Sequence, residues 1–324
     1  MCTAAAFVTK DFYFGRTLDY EMSYGDEAVI VPRNFCISFP NIEKKISMHP
    51  AYIGMAHVDD NYPLMYEGVN EKGLAIAALN FVGYAKYSSP APDKFNLAPH
   101  EVIPFVLCQC SNIEQAAELL KRCNIINRAY KDYPIGDLHW IISDKDGSIT
   151  LESTESGMHI HENCTGILAN NPEFPQHMMH LTNYMYLSVK EPKNNFCSKL
   201  PLKVYSRGMG AMGLPGDLSS ESRFVRAAFV KSNSICGDSE SESVNQLFHI
   251  LGSVEQQKGC CEVREGTYQF TYYTSCCNCT KGIYYYTTYD NHQISAIDMH
   301  KVNLNCDKLI RYTLKTTEQI FRHN

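Results

Sequence analysis

The residue with the clearest potential for chemistry stands second in the chain, as Cys2. Loss of Met1 would give this residue both a thiol and a free α-amine. An unperturbed thiol has a pKa near ~8.5 and an α-amine one near ~7.7–8.0, so a nucleophile and a partly neutral base would share one residue. We therefore predict that Met1 is removed and that Cys2 is a nucleophile. The alternative is that a cysteine stands here by chance.

Two charged residues, Arg16 and Asp19, follow closely in the chain. The segments 7–10 and 12–18 combine aromatic and β-branched residues around a charged pair, which predicts a β-hairpin. The second strand of that hairpin would bring both charges close to Cys2. An arginine there favours the thiolate, and a carboxylate can hold an ammonium group. The alternative for each residue is an ordinary surface ion pair.

Two asparagines stand where apolar segments end. Asn80 lies near the end of the apolar strand predicted for 74–81, and Asn170 follows the segment 165–168 just before Pro172. A polar amide at such a place needs partners, and in an acyl-transfer enzyme one partner can be a developing oxyanion. The alternative is a structural asparagine with satisfied hydrogen bonds, or a turn residue.

Arg223 is a cation in an unusual place. Ser219 or Ser220 is predicted to cap a helix, and Arg223 would then lie in the first turn, where the helix dipole disfavours positive charge. We therefore expect Arg223 to have an acidic partner near the catalytic centre.

The elements that must position these residues are predicted in the order strands, helices, strands, helices, strands. Helices are predicted at 99–108, after Asn112, after Ser219 or Ser220, and from Ser241. Later strands are predicted at 138–143, 148–152, 268–274, 283–289 and 293–298. No linker or repeat divides the chain. We predict one α+β domain over residues 1–324, in which two stacked sheets are covered by helices.

Composition limits the classes of function. A net charge of −6 and 44% apolar residues in 324 are typical of a soluble globular protein. The absence of a Lys/Arg cluster argues against a nucleic-acid partner. No apolar stretch reaches the ~18 residues of a membrane span, and no secretory segment precedes Lys10. We expect a cytoplasmic protein without a membrane partner.

The fourteen cysteines are predicted to be reduced thiols. The candidates for zinc ligation are the closely spaced Cys260, Cys261, Cys276, Cys277 and Cys279. Their gaps of zero and one residue differ from the two-residue gaps of zinc ribbons, so we expect no metal. The glycine-rich segment 206–217 lacks the phosphate-loop pattern, which argues against a nucleotide. No cofactor is therefore expected.

Over essentially its whole length the sequence resembles the choloylglycine hydrolase family, which includes bile salt hydrolases and penicillin V acylases. The segments that carry the resemblance are 1–3, 14–19, 70–74, 79–81, 170–174, 213–217, 222–224, 281–286 and 289–291. The resemblance implies a four-layer αββα sandwich of the N-terminal-nucleophile hydrolase type. It also implies a homotetramer.

The same resemblance implies roles for individual residues. The positions that match the family's catalytic residues are Cys2, Arg16, Asp19, Asn80, Asn170 and Arg223. The Cys2 thiol would attack an amide carbonyl, and its own α-amine would carry the proton to the leaving amine. The first arginine and the aspartate would hold the amine and tune the thiol. The two asparagines would line the oxyanion site, and Arg223 would support the charge network.

Asn80 resembles the bile salt hydrolases, because penicillin acylases often carry tyrosine at that position. Small departures from the family pattern, at Ala78, Val82 and Ala169, bear on pocket shape. The expected reaction is cleavage of glycine- or taurine-conjugated bile salts. One alternative keeps the chemistry but changes the substrate to penicillin V or an N-acyl homoserine lactone. Another is a catalytically silent bile-acid-binding or thiol-rich metal protein.

A conjugated bile salt combines a rigid apolar steroid with a secondary amide and an anionic tail, so a largely apolar pocket is expected. The candidates for its lining are Met22, Tyr24, Tyr62, Met65 and Phe81. Arg207, in the glycine-rich segment, is the candidate partner for the sulfonate of taurine.

Overall fold

Antiparallel strands make up most of the computed structural model, which describes residues 1–324. The strands are β1 (Cys2–Val8), β2 (Phe12–Tyr20), β3 (Glu27–Val31), β4 (Ile37–Phe39), β5 (Lys44–Ile46), β6 (Tyr52–Asp59), β7 (Tyr62–Met65), β8 (Glu67–Asn70), β9 (Ala75–Asn80), β10 (Phe95–Leu97), β11 (Cys123–Ile125), β12 (Leu138–Asp144), β13 (Gly147–Thr154), β14 (Gly157–Glu162), β15 (Ile167–Leu168), β16 (Glu262–Arg264), β17 (Thr267–Tyr268), β18 (Phe270–Asn278), β19 (Ile283–Thr288), β20 (Asn291–Asp298) and β21 (Ile310–Thr313). The helices are α1 (Val102–Leu107), α2 (Ile113–Lys121), α3 (Phe174–Leu181), α4 (Ser220–Asn233) and α5 (Glu240–Gly252).

The first sheet has six strands in the order β15-β1-β2-β18-β19-β20, with every pair antiparallel. Near its centre lies the predicted hairpin, β1 and β2, in which Cys2 pairs with Leu18. The hairpin prediction is confirmed. Gly15 is required in β2, because a Cβ there would lie 2.1 Å from the carbonyl oxygen of Ser275. This close approach lets β18 pair along β2 beside Arg16.

The second sheet has nine strands, in the path β14-β13-β12-β9-β8-β6-β3-β21 with β7 paired to β6. Alternate residues of its strands point to opposite faces. In β9, Ala75, Ala77 and Leu79 belong to the core that also contains Cys2, whereas Ile76 belongs to a separate core with α1 and α2. The two sheets therefore stack across a shared apolar layer.

Helices cover both outer faces of the stacked sheets. Helices α4 and α5 pack on β1, β2, β15 and β18, and helices α1 and α2 pack on β8, β9, β12 and β13. The layers follow the order helix, sheet, sheet, helix. The α+β prediction and the αββα sandwich that the resemblance implied are both confirmed.

The predicted helix caps are mostly correct. The Asn112 side chain accepts a hydrogen bond at the start of α2, and Ser219 caps α4. The predicted start at Ser241 is wrong, because Ser239 caps α5 in a reciprocal capping box with Glu242.

The start of α1 and the end of β18 differ from the sequence prediction. The region predicted as a helix over 99–108 opens with a 3₁₀ turn, Pro99–Glu101, before α1. Strand β18 runs to Asn278, beyond the predicted end at 274. Both faces of this strand are buried, so its sequence does not alternate between buried and exposed residues, and alternation could not mark its end. None of the helices combines the length and apolarity that a membrane crossing requires.

Candidate active site

Cys2 begins the first strand and is buried, at 3% exposure, beside a cavity of about 690 Å³. The backbone nitrogen of Cys2 donates to Oδ1 of Asn170 at 2.8 Å. The α-amine of Met1 extends the strand pairing and donates to the carbonyl oxygen of Asp19 at 2.6 Å. Burial lowers the pKa of that amine below its usual 8.0. Removal of Met1 would therefore leave a free amine at the Cys2 nitrogen, inside the same enclosed site.

Asn170, which follows β15, connects the residues around Cys2. Its Oδ1 also accepts from Nη2 of Arg223 at 2.7 Å, and its Nδ2 donates to the carbonyl oxygen of Asn80 at 2.7 Å. Its backbone nitrogen donates to Oγ of Ser220, at the start of α4, at 2.8 Å. The carboxamide orientation is therefore set by partners on both sides, which fixes the acceptor for the Cys2 nitrogen.

Arg223 is fully buried in the first turn of α4. Its Nη1 donates to the carbonyl oxygen of Cys2 and to Oγ1 of Thr3, both at 2.6 Å. The same nitrogen lies 3.9 Å from Oδ2 of Asp19, which is also fully buried. Burial lowers the pKa of Arg223, and the charge of Asp19 opposes that shift. Asp19 is the acidic partner that the helix-dipole argument predicted.

Asp19 is held by hydroxyl groups as well as by the arginine. Oγ1 of Thr271 donates to its Oδ1 at 2.7 Å, and Oγ1 of Thr17 donates to its Oδ2 at 3.3 Å. Gln269 donates from Nε2 to its carbonyl oxygen at 2.9 Å, the same oxygen that accepts from Met1. Both the carboxylate and the carbonyl of Asp19 are thus fixed within reach of the N-terminal amine.

Arg16 lines the cavity from β2 and is 1% exposed. Its Nη1 donates to the carbonyl oxygens of Ala78 and Tyr66, at 2.8 and 3.1 Å, and lies 3.7 Å from Glu67. Burial by itself would lower the pKa of Arg16. The charges of Cys2 and Glu67 raise it by more, so the pKa of Arg16 lies above its usual value. A permanently charged guanidinium near Cys2 favours the thiolate.

Asn80 ends β9 at the cavity wall. Its carbonyl oxygen accepts from Asn170, and its partly exposed side-chain amide is left without a partner in the protein. A free carboxamide beside a cavity can donate to an oxygen that gains charge during a reaction. All six predicted catalytic residues therefore lie together, with Arg223 behind the cavity and the other five lining it.

The predicted lining residues divide into two groups. Met22, Tyr24 and Met65 line the cavity as predicted. Tyr62 and Phe81, the other two lining candidates, do not border it, and neither does Arg207, the candidate partner for the sulfonate. The positions of Tyr62, Phe81 and Arg207 in the fold explain why they do not border the cavity.

Phe81 is fully buried and stacks on His139, with ring centroids 4.3 Å apart. Tyr62 stacks on Tyr130, a cavity residue, and lies behind the wall. Arg207 lies in an exposed loop that does not border the cavity. Aromatic character alone did not separate the first layer of the wall from the second.

Much of the wall comes from a segment that the sequence did not single out. This segment, 128–138, joins β11 to β12 and contributes Tyr130, Tyr133, Pro134 and Ile135. Tyrosines and a proline in a stretch without helix or strand periodicity are the signal that would have indicated a binding loop.

A buried histidine pair supports the Asn170 loop from behind. Nε2 of His139 donates to the carbonyl oxygen of Ala169 at 3.1 Å, and Nε2 of His177 donates to that of Asn170 at 2.8 Å. Nδ1 of His139 lies 3.1 Å from the buried carboxylate of Glu152. Burial lowers the pKa of His177 to about 4, which keeps its ring neutral. These contacts join distant parts of the chain and have no local sequence signal.

A cysteine at the start of the first strand of an αββα sandwich, with its nitrogen held inside a cavity, defines the class of N-terminal-nucleophile hydrolases. The chain belongs to the choloylglycine hydrolase family of linear amide C–N hydrolases, whose family model matches residues 2–312. It is therefore a hydrolase of the type that acts on linear amides.

Known proteins of similar sequence span the whole chain. One, named a bile salt hydrolase/transferase, from Lactiplantibacillus plantarum, is 46% identical over 325 residues and covers 100% of both chains. Another of the same name, from Clostridium perfringens, is 37% identical and covers 99% of both chains.

Two solved structures have similar folds. The C2A mutant of the conjugated bile acid hydrolase from Clostridium perfringens matches with a TM-score of 0.92 at 36% identity, covering 100% of both chains. Penicillin V acylase from Agrobacterium tumefaciens matches with a TM-score of 0.77 at 19% identity, covering 97% of this chain and 92% of its own, and shares the fold.

Proposed function

We propose that this protein hydrolyses the amide bond of glycine- or taurine-conjugated bile salts, with Cys2 as the nucleophile. The observation that carries the proposal is the position of Cys2, its nitrogen bound to Asn170, beside a cavity of about 690 Å³ with a mainly apolar wall. A rigid steroid suits such a wall, and its amide would reach the thiol. The names of the relatives agree with this substrate class.

The first half of the proposed reaction uses both reactive groups of Cys2. With Met1 removed, the nitrogen that donates to Asn170 becomes the free α-amine. This amine accepts the thiol proton as sulfur attacks the amide carbon. It then gives the proton to the leaving nitrogen as the C–N bond breaks. The products are free glycine or taurine and a thioester between the sulfur and the bile acid.

The second half of the reaction releases the bile acid. The same amine takes a proton from a water molecule as the water oxygen attacks the thioester carbon. The C–S bond then breaks, and sulfur recovers the proton. Arg16 favours the thiolate in both halves, and Asp19 holds the amine through the cycle.

Asn80 and Asn170 are the proposed donors to the oxyanion of each tetrahedral intermediate. The Asn80 carboxamide has no competing partner, and Asn170 Nδ2 uses one of its two hydrogens on the Asn80 carbonyl. Arg223 acts through Asn170, whose Oδ1 it fixes. Arg223 is therefore a positioning residue.

A panel of purified amides tests the proposal. We expect hydrolysis of taurocholate and glycocholate, with penicillin V and an N-acyl homoserine lactone as weaker substrates. Cys2→Ala should abolish turnover and retain bile-salt binding by calorimetry. Intact mass spectrometry should find active protein without Met1. Full activity in protein that keeps Met1, or preference for penicillin V, would overturn the proposal. A wild-type protein that binds bile salts without turnover would identify a silent binding protein.

Arg207 is the proposed determinant of taurine preference. Its side chain is exposed, so a sulfonate could bind it without displacing an internal partner. The ratio of kcat/KM for taurocholate to that for glycocholate should exceed one and fall in Arg207→Ala. An unchanged ratio in the variant would contradict this assignment.

A homotetramer is the proposed assembly. The apolar surface segment, residues 185–212, exposes large side chains that a second copy of the chain would cover. These side chains belong to Met185, Tyr186, Val189, Phe196, Leu200, Leu202, Val204, Tyr205 and Met212. Light scattering should give four times the 36.7 kDa chain mass, and Phe196→Glu should lower it. A monomeric wild type would contradict the proposal.

The cytoplasm is the proposed location. All fourteen cysteines are free, which suits a reducing compartment. Cell fractionation should recover the activity with cytoplasmic markers, and recovery with secreted protein would contradict this location.

A further inference from the structure

His100 presents an unpaired imidazole to the cavity. It lies in the 3₁₀ turn Pro99–Glu101 at the start of the α1 region and lines the wall. Of the two histidines in that wall, His57 pairs through Nε2 with the hydroxyl of Tyr133 at 3.0 Å, and its other ring nitrogen is buried without a partner. The partly buried His100 ring pairs with no residue of the protein, and its nitrogens remain accessible from the cavity. A ligand that fills the cavity displaces water from this ring, so it loses free energy unless it supplies a hydrogen-bonding group in return.

Two tyrosines fix the direction of this ring. The His100 ring meets Tyr130 nearly edge-on, with centroids 5.3 Å apart and planes at 70°, and Tyr62 at 6.0 Å and 78°. The two tyrosine rings stack on each other at 5.2 Å. Tyr62, behind the wall, therefore acts as a support for His100. An imidazole held in this way is organised before any ligand arrives.

The chemistry of the ring limits what it can bind. Burial lowers the pKa of His100 from 6.5 to about 4, so the ring is neutral at physiological pH. A neutral imidazole has one donor and one acceptor nitrogen. Apolar residues of the wall lie near His100: Pro99 precedes it in the chain, and Leu64 and Met65 belong to β7. An uncharged group that can both donate and accept, a hydroxyl, suits this surface.

We propose that His100 hydrogen-bonds one hydroxyl group on the ring system of the acyl half of the substrate, and so selects substrates by their ring hydroxylation. This inference rests on the proposed bile-salt hydrolysis, since bile acids differ from one another in ring hydroxyls. A substrate that lacks the hydroxyl would leave the imidazole unpaired, so the site would discriminate against it.

The experiment compares taurine conjugates that share a tail and differ by one ring hydroxyl, namely those of cholate, deoxycholate, chenodeoxycholate and lithocholate. At one ring position, the conjugate that carries the hydroxyl should have a wild-type kcat/KM about tenfold higher than the conjugate that lacks it. His100→Phe keeps a ring but removes both nitrogens, and should bring that ratio close to one by lowering kcat/KM for the hydroxylated member. His100→Gln, which keeps a donor and an acceptor, should restore part of the ratio.

Leu64→Val is the matched control in the same wall. It removes apolar contact and should change kcat/KM for all four conjugates by a similar factor. Ratios that stay the same in both His100 variants, or a uniform fall for all conjugates in His100→Phe, would overturn the inference while leaving bile-salt hydrolysis intact. A wild type that cleaves none of the conjugates would instead refute the proposed function, and the inference with it. Thermal melting of each variant checks folding, and if His100→Phe does not fold, the ratio in His100→Gln decides.

Discussion

Replacement of Arg223 by methionine separates its electrostatic role from its packing role, since methionine keeps most of the side-chain volume. The change removes the donors to Cys2, Thr3 and Asn170 and the positive charge 3.9 Å from Asp19. Because both charged side chains are fully buried, the Asp19 carboxylate would lose the cation that lies within 4 Å of it.

The expected loss of stability follows from that burial. Removing one partner of a buried ion pair typically costs about 3–5 kcal/mol. The entropy of unfolding is about 2.1 cal/mol/K per residue, or about 0.7 kcal/mol/K for a chain of 324 residues. Arg223→Met should therefore lower Tm by about 4–7 °C. It should also lower kcat, because Asn170 Oδ1 loses one of its two donors.

Calorimetry and steady-state kinetics on four variants check this reasoning, and Asp19→Asn alone supplies the second single effect. Arg226 is the matched control, because it lies on the same helix and donates only to the carbonyl oxygens of Pro215, Asp217 and Ser253. Arg226→Met should lower Tm and leave kcat unchanged. The double variant Arg223→Met/Asp19→Asn carries no unpaired charge, so it should be more stable than the sum of the single effects by about 1 kcal/mol or more.

Two results would refute the account of Arg223. One is a Tm of Arg223→Met within about 1 °C of the wild type, which would mean that the buried charge contributes little. The other is strict additivity in the double variant, which would mean that Arg223 and Asp19 do not interact.

Two further predictions concern single residues. Asn80→Ala should lower kcat by about 10²–10³ with a smaller change in KM, because its free carboxamide serves only the oxyanion; unchanged kcat in steady-state assays would exclude that role. His177 has a pKa lowered from 6.5 to about 4, so the unfolded chain binds a proton that the folded chain does not. Its contribution to stability is full above pH 6.5 and is lost as pH falls from 6.5 toward 4. His177→Gln should therefore flatten the slope of Tm against pH in that window, with the remaining slope from His100, and an unaltered slope would contradict the assignment.

The predictable part of the site was local in sequence or had a clear electrostatic signal. Arg16 and Asp19 follow Cys2 through one hairpin, so strand pairing alone brings them near the thiol. Arg223 is a cation in the first turn of its helix, where the helix dipole disfavours positive charge, so an acidic partner was expected. Asn170 was recognisable as a polar residue at the end of a buried segment.

The part of the site that the sequence could not predict depended on whether a side chain faces the cavity or the protein interior. Asn80 and Phe81 are neighbours, and successive residues of extended chain point in opposite directions. Asn80 lines the cavity, whereas Phe81 stacks on His139 in the interior. The contacts of His139 and His177 with the Asn170 loop, and the cavity wall formed by segment 128–138, arise only when distant strands pair.

The apolar surface segment, 185–212, divides the chain at a useful point. A cut within it would leave the thiol and Asn170 on one polypeptide, and Arg223 on the other together with β18, β19 and β20. Each half would lack strands of the first sheet, so neither would be active alone. Two separately produced halves, fused at the new ends to a pair of interacting proteins, would then report that interaction by releasing an amine.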